Sequence, residues 1–129
     1  MADDLTAAVD LAGILRQMLG ADAVDDDPGT RSLYSQDIWS KGEMAEFIVR
    51  PASVDDLGRV AAAAHRYGVA LNPRGGGMSY TNGYTPDRGG VAILDFSRLD
   101  RITEINVQDM YVTAEAGVTW KQLHDALKP

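Results

Sequence analysis

The stretch "NPRGGGMSYTNGY", residues 72 to 84, decides how the rest of the chain is read. Three consecutive glycines follow Arg74 and precede Ser79 and Tyr80. Glycine loses the most backbone entropy on ordering, so a triplet needs either a flexible connection or a close backbone approach to something. A Walker-type phosphate loop is excluded, because no lysine lies near residues 75 to 83. The Rossmann fingerprint fails on context. Gly75 and Gly77 supply its first two glycines and Asp95 its ribose acid, but Tyr80 replaces the third glycine. That fingerprint must also open a helix, and "TNGYTPDRGG" cannot be one. An esterase loop with Ser79 as nucleophile lacks Gly-x-Ser-x-Gly. Two readings stay open: a plain surface turn, and a non-helical nest whose backbone N–H groups turn inward on an anion. In the nest, Arg74 adds charge and Ser79 a hydroxyl donor.

Working outward, "VALNPR" before the glycines reads as a strand and "GVAILDF" after them as a strand buried on both faces. Upstream, "EFIVRP" is a short strand closed by Pro51. "SVDDLGRVAAAAHRYG" is a helix with a Ser53/Asp56 capping box, Gly68 at its end and an apolar face of Val54, Leu57, Val60, Ala61, Ala64 and Tyr67. The strands flanking it are expected to be parallel. "RITEINV" and "YVTAEAG" alternate in period two and predict a hairpin. "TWKQLHDAL" predicts a helix with a Thr119/Gln122 capping box and Trp120, Leu123 and Leu127 as an inward face. At the N-terminus, Leu5, Val9, Ala12, Leu15 and Leu19 recur at helical spacing behind Asp3 and Asp4. "ADAVDDDPGTRS" reads as a solvated acidic loop and "LYSQDIWSKGEMA" as an irregular connector.

The chain has 129 residues and a net charge of −7, the size of one ordinary domain with an acidic surface. That balance argues against nucleic acid and anionic membranes as partners. There is no cysteine, which removes disulfides, thiolate catalysis and cysteine zinc sites. His65 reads as a partner of its helix dipole and His124 as an ordinary helix residue. Asp95 reads as a strand end or the cap of the "SRLD" turn; Tyr34 and Trp39 are undecided between a core edge and a further domain. Tyr80, Thr81 and Tyr84 shape the loop. No signal peptide or apolar span of about 18 residues is present, and a cytoplasmic location is the default expectation.

From Glu46 to Leu127, the stretches "FIVRPASVDDLGRVAAAAHRYGVALNPRGGGMSY", "GGVAILDFSRLDRITEIN" and "VTAEAGVTWKQLHDAL" resemble, in order and spacing, the start of the FAD-binding domain of the vanillyl-alcohol oxidase / p-cresol methylhydroxylase (PCMH-type) flavoproteins. The resemblance implies an α+β fold, a small mixed sheet with flanking helices, forming the first subdomain of that domain. Residues 1–44 would be an N-terminal helix and connector, and 45–129 the partial FAD-binding domain on its pyrophosphate and adenosine side. It also implies that Pro73, Arg74, Gly75, Gly76, Gly77, Met78, Ser79 and Tyr80 contact FAD around its pyrophosphate, with Gly117 and Val118 near the adenosine. Many members carry a flavin-linking histidine where this chain has Met78, so FAD bound here is expected to be non-covalent at this loop. The implied function is the FAD-binding part of an oxidase or dehydrogenase that takes hydride from an organic substrate; no catalytic residue is assigned. A second FAD subdomain and a cap domain are the expected partners, and apolar surface left without them predicts self-association. The rival reading is a non-catalytic interaction module that keeps this scaffold.

Overall fold

A computed structural model describes residues 2–128, with side chains from residue 6 onward. The expected roles of Asp3, Asp4 and Leu5 lie outside the described side chains. Helix α1 spans Ala2–Leu19 and α2 Pro28–Tyr34; β1 (Val24–Asp25) lies between them, preceded by a short 3-10 turn. Then come β2 (Ile48–Val49), α3 (Val54–Tyr67), β3 (Ala70–Arg74), β4 (Val91–Asp95), β5 (Ile102–Asn106), β6 (Tyr111–Ala114) and α4 (Trp120–Ala126). The main sheet runs β1-β2-β4-β3, and β5 and β6 form a separate antiparallel hairpin. The fold is therefore the expected α+β arrangement.

β4 is the centre of the sheet, and its uninterrupted "VAILD" run is buried at every position. Both β2 and β3 pair with it in parallel, so the strands on either side of α3 are parallel to each other with β4 inserted between them. Only β1 is antiparallel, through Val24↔Val49. The acidic stretch read as a solvated loop holds β1 and starts a helix. In "DDDPGT" the Asp27 carboxylate accepts from the Thr30 N–H at 2.9 Å and Pro28 begins the helix. That combination starts α2, because a side-chain acceptor and a residue without an N–H satisfy the orphan donors of a first turn.

Strand alternation divides the sheet into two faces. Val49, Ala92 and Leu94 join Leu11, Leu15, Phe47, Val60 and Ala64 in the core under α1 and α3. Ile48 and Ile93 point the other way and pack with Ala45 and Tyr34. The same parity carries Arg50, Arg74 and Asp95 to this second face, at the carboxyl ends of the parallel strands. In α3, Ser53 Oγ accepts from the Asp56 N–H, and Gly68 closes the helix. Its inward face is narrower than the spacing suggests: Val54 and Ala61 are exposed. α4 has the full Thr119/Gln122 capping box, but Trp120 is 85% exposed and Leu127 half exposed, so their expected inward face is not one. Thr119 and Gln122 orient a two-turn helix whose Trp120 side lies in solvent.

Candidate functional site

The glycine loop leaves the carboxyl end of β3, beside the carboxyl ends of β2 and β4. Open α/β sheets bind ligands at such ends. Among the described residues, no backbone N–H from Gly75 to Tyr80 donates a hydrogen bond to the protein. Gly75 and Gly76 are exposed, and a side chain built on Gly76 would meet nothing within 4 Å. These donors are unpaired within the protein and open to solvent or a ligand at the glycines. Met78 and Tyr80 stand exposed at the rim, and Pro73 is an exposed strand residue paired with Leu94.

The loop's two ends are fixed. Ser79 Oγ accepts from the Thr81 N–H at 3.2 Å and the Gly83 N–H at 3.1 Å, which leaves its own proton available to a ligand. The Asp37 carboxylate accepts from Asn82, Trp39 and Ser40 N–H groups, tying the far end of the loop to the 36–44 connector. The Asn82 N–H, followed by those of Trp39 and Ser40, holds that carboxyl below the ordinary aspartate range. Tyr84 is buried, and its hydroxyl donates to Gly77 O at 2.9 Å.

Gly77 has φ +73°, and a Cβ there would collide with the Arg74 guanidinium. Arg74 therefore packs its guanidinium directly against the Gly77 backbone. Its guanidinium carbon sits 4.2 Å from the Tyr34 ring centroid and 5.2 Å from that of Tyr84. Its Nε is buried with no hydrogen-bond partner. Below it, Asp95 is fully buried at the end of β4. One oxygen accepts from the Tyr34 hydroxyl and Arg50 Nε, each at 3.0 Å, and the other from the Ser97 N–H at 3.0 Å. Asp95 is thus both strand end and turn cap. Burial works against the charge on Arg50, but its contacts with Tyr34 and Asp95 outweigh that and hold it more firmly protonated than a free arginine.

The turn at Gly117 and Val118 comes to the same end of the sheet. Gly117 N–H donates to Leu99 O at 2.8 Å, and a Cβ at Gly117 would overlap Phe96 O, so only glycine permits this approach. A Cβ on Gly75 would lie 3.5 Å from Ala116 O, which places this turn against the start of the glycine loop. Residues expected to act together from two distant stretches are adjacent. Tyr34 and Arg50 carried no chemical signal in the sequence, and only the strand register and α2 bring them under the loop.

A separate polar cleft of about 550 Å³ opens between the connector and the far end of the loop, lined by Ser40, Asn72, Asn82, Thr85 and Asp87 among others. Gly75, Gly76 and Gly77 do not line it. No group of His, Asp or Glu suited to a metal ion is found among the described residues. No helix among them is long and apolar enough to cross a membrane.

Known proteins resemble this chain in sequence and fold. The profile of the "FAD binding domain" family matches residues 45–129. A D-2-hydroxyglutarate dehydrogenase of Escherichia coli is 41% identical over 90 residues, covering 67% of this chain and 8% of that protein. A glycolate oxidase subunit of Bacillus subtilis is 29% identical over 105 residues, covering 81% of this chain and 22% of the relative. Among solved structures, p-cresol methylhydroxylase with substrate bound superposes with a TM-score of 0.83 at 20% identity, over 95% of this chain and 24% of that one. The 4-ethylphenol oxidase of Gulosibacter chungangensis gives a TM-score of 0.82 at 25% identity, again over 95% of this chain and 24% of that one. The chain thus spans less than a quarter of the length of these relatives.

Proposed function

The chain belongs to the FAD binding domain family of PCMH type, and from that premise we propose that the loop from Pro73 to Tyr80 holds the FAD pyrophosphate. The observation that carries this reading is the run of unpaired N–H groups from Gly75 to Tyr80 beside a half-buried arginine whose Nε has no partner. Free amides and a nearby cation suit a diphosphate, and the open surface at Gly76 lets its oxygens reach the backbone. The free proton of the Ser79 hydroxyl adds a donor at the loop's end. Gly117 and Val118, packed against the start of the loop, form the wall on the adenosine side. Met78 is exposed and its thioether cannot make the linkage a histidine would, so FAD is held without a covalent bond at this loop.

When bound, FAD supplies the hydride-accepting chemistry, and this chain contributes binding and orientation. Residues 45–129 form the binding part, and residues 1–44 support it, since α1 shares its core with α3 and the sheet. The names of the hydroxy-acid and phenol-acting relatives favour an oxidase or dehydrogenase of a small organic substrate, completed by further flavin-binding and substrate-binding domains. A cytoplasmic location belongs to the same proposal. Calorimetric titration of the purified protein with FAD, and in parallel with ADP, tests the loop assignment. Both bind saturably, and Gly76→Ala lowers both affinities at least tenfold by holding phosphate off the amides. Unchanged ADP affinity in that variant would remove the loop from the site.

A further inference from the structure

We infer that Tyr34 is a positioning residue that holds the Arg74 guanidinium, which no carboxylate among the described residues contacts, against the glycine loop. The inference rests on the reading of that loop as a diphosphate cradle. A guanidinium with a buried nitrogen is ordinarily paired with a carboxylate, and Arg74, half-buried with its Nε inside, has one opposite it, since its Cα pairs across the sheet with that of Asp95. Asp95 is nonetheless fully engaged: Arg50 Nε, the Tyr34 hydroxyl and the Ser97 N–H occupy its two oxygens. Among the described residues no carboxylate lies in salt-bridge contact with Arg74.

What holds the guanidinium instead is a pair of aromatic faces, Tyr34 at 4.2 Å and Tyr84 at 5.2 Å from their ring centroids. An aromatic quadrupole attracts a cation without cancelling its charge. The two tyrosines are themselves fixed at their hydroxyls, Tyr34 by Asp95 and Tyr84 by Gly77 O. Asp95 therefore orients the ring that seats Arg74 while it pairs with Arg50, which Asp25 also contacts at 3.5 Å. The guanidinium lies against Gly77, where a Cβ would collide with it.

A double-mutant cycle on FAD affinity, measured by flavin fluorescence with the purified protein, tests this. Tyr34→Leu, which removes the aromatic face, weakens FAD binding about tenfold. Tyr34→Phe keeps the face and loses only the hydroxyl bond, so it restores affinity to within about threefold of wild type. In an Arg74→Met background, Tyr34→Leu costs less than about twofold more, because the charge it positions is gone. Tyr34→Met, which fills the volume without a ring, replaces Tyr34→Leu in the cycle should the leucine variant not fold. Wild-type affinity in Tyr34→Leu, or losses that multiply in the double variant, would overturn the inference. Should Gly76→Ala abolish FAD binding while the tyrosine and arginine losses multiply, the cradle stands and only the positioning role falls. A wild-type protein that binds no FAD overturns both.

Discussion

Gly77→Ala perturbs the site at the one loop position where backbone and side-chain constraints coincide. The residue has φ +73°, a left-handed conformation that costs a non-glycine residue about 1–2 kcal/mol. Its new Cβ would also lie 2.6 Å from the Arg74 guanidinium carbon, so the guanidinium must leave the Tyr34 and Tyr84 faces. Each such contact contributes about 0.5–1 kcal/mol or more when desolvated. The sum predicts a loss of about 2–4 kcal/mol, large for one methyl group on a surface loop. Gly76→Ala is the matched control. No atom lies within 4 Å of its Cβ, so its stability stays within about 0.5 kcal/mol of wild type. Urea unfolding followed by circular dichroism reads the difference, with an m-value of about 1–3 kcal/mol/M turning it into a midpoint drop of about 1–2 M for Gly77→Ala alone. Equal midpoints for the two variants would refute the placement of Arg74 against Gly77.

Leu15→Ala, in the face of α1 packed on α3 and the sheet, removes a fully buried side chain and costs about 2–5 kcal/mol by the same assay; a loss under about 1 kcal/mol would detach α1 from the core. The Arg101 side-chain bonds, followed by the Arg101 N–H, hold the Glu115 carboxyl below its ordinary range and clip the open end of the hairpin. Because the folded value is the lower one, the clip is intact above the ordinary glutamate range and is lost as pH falls through the folded value. Carboxyl titration by NMR, with Glu115→Gln as the control, should show the Arg101 amide losing protection in that acidic window, and a Glu115 that titrates at or above the ordinary range would contradict the clip.

The sequence showed the parts of this fold whose signals are local. α3 is bracketed by Ser53 and Gly68, β4 is a continuous apolar run, and the hairpin alternates in period two. α2 was hidden because an Asp-rich run with Pro-Gly has the composition of a loop, although Asp27-Pro28 is also a helix start. β1 is two residues long and exists only through its pairing with β2. Trp120 misled for the opposite reason: helical spacing shows which residues share a face, and says nothing about what that face meets. The glycine loop was legible because its composition has few other uses. The layer beneath it was not, since Tyr34, Arg50, Arg74 and Asp95 are joined by sheet register and not by spacing along the chain.

The central claim is that the amides from Gly75 to Tyr80 hold a diphosphate. Titrating 15N-labelled protein with ADP and following every backbone amide tests it most directly. The largest saturable shifts should fall on Gly75 to Tyr80, with smaller ones at Ala116 to Val118. Shifts concentrated instead on Ser40, Asn72, Asn82 and Thr85, with the glycine amides unmoved, would put the nucleotide in the neighbouring polar cleft and contradict it.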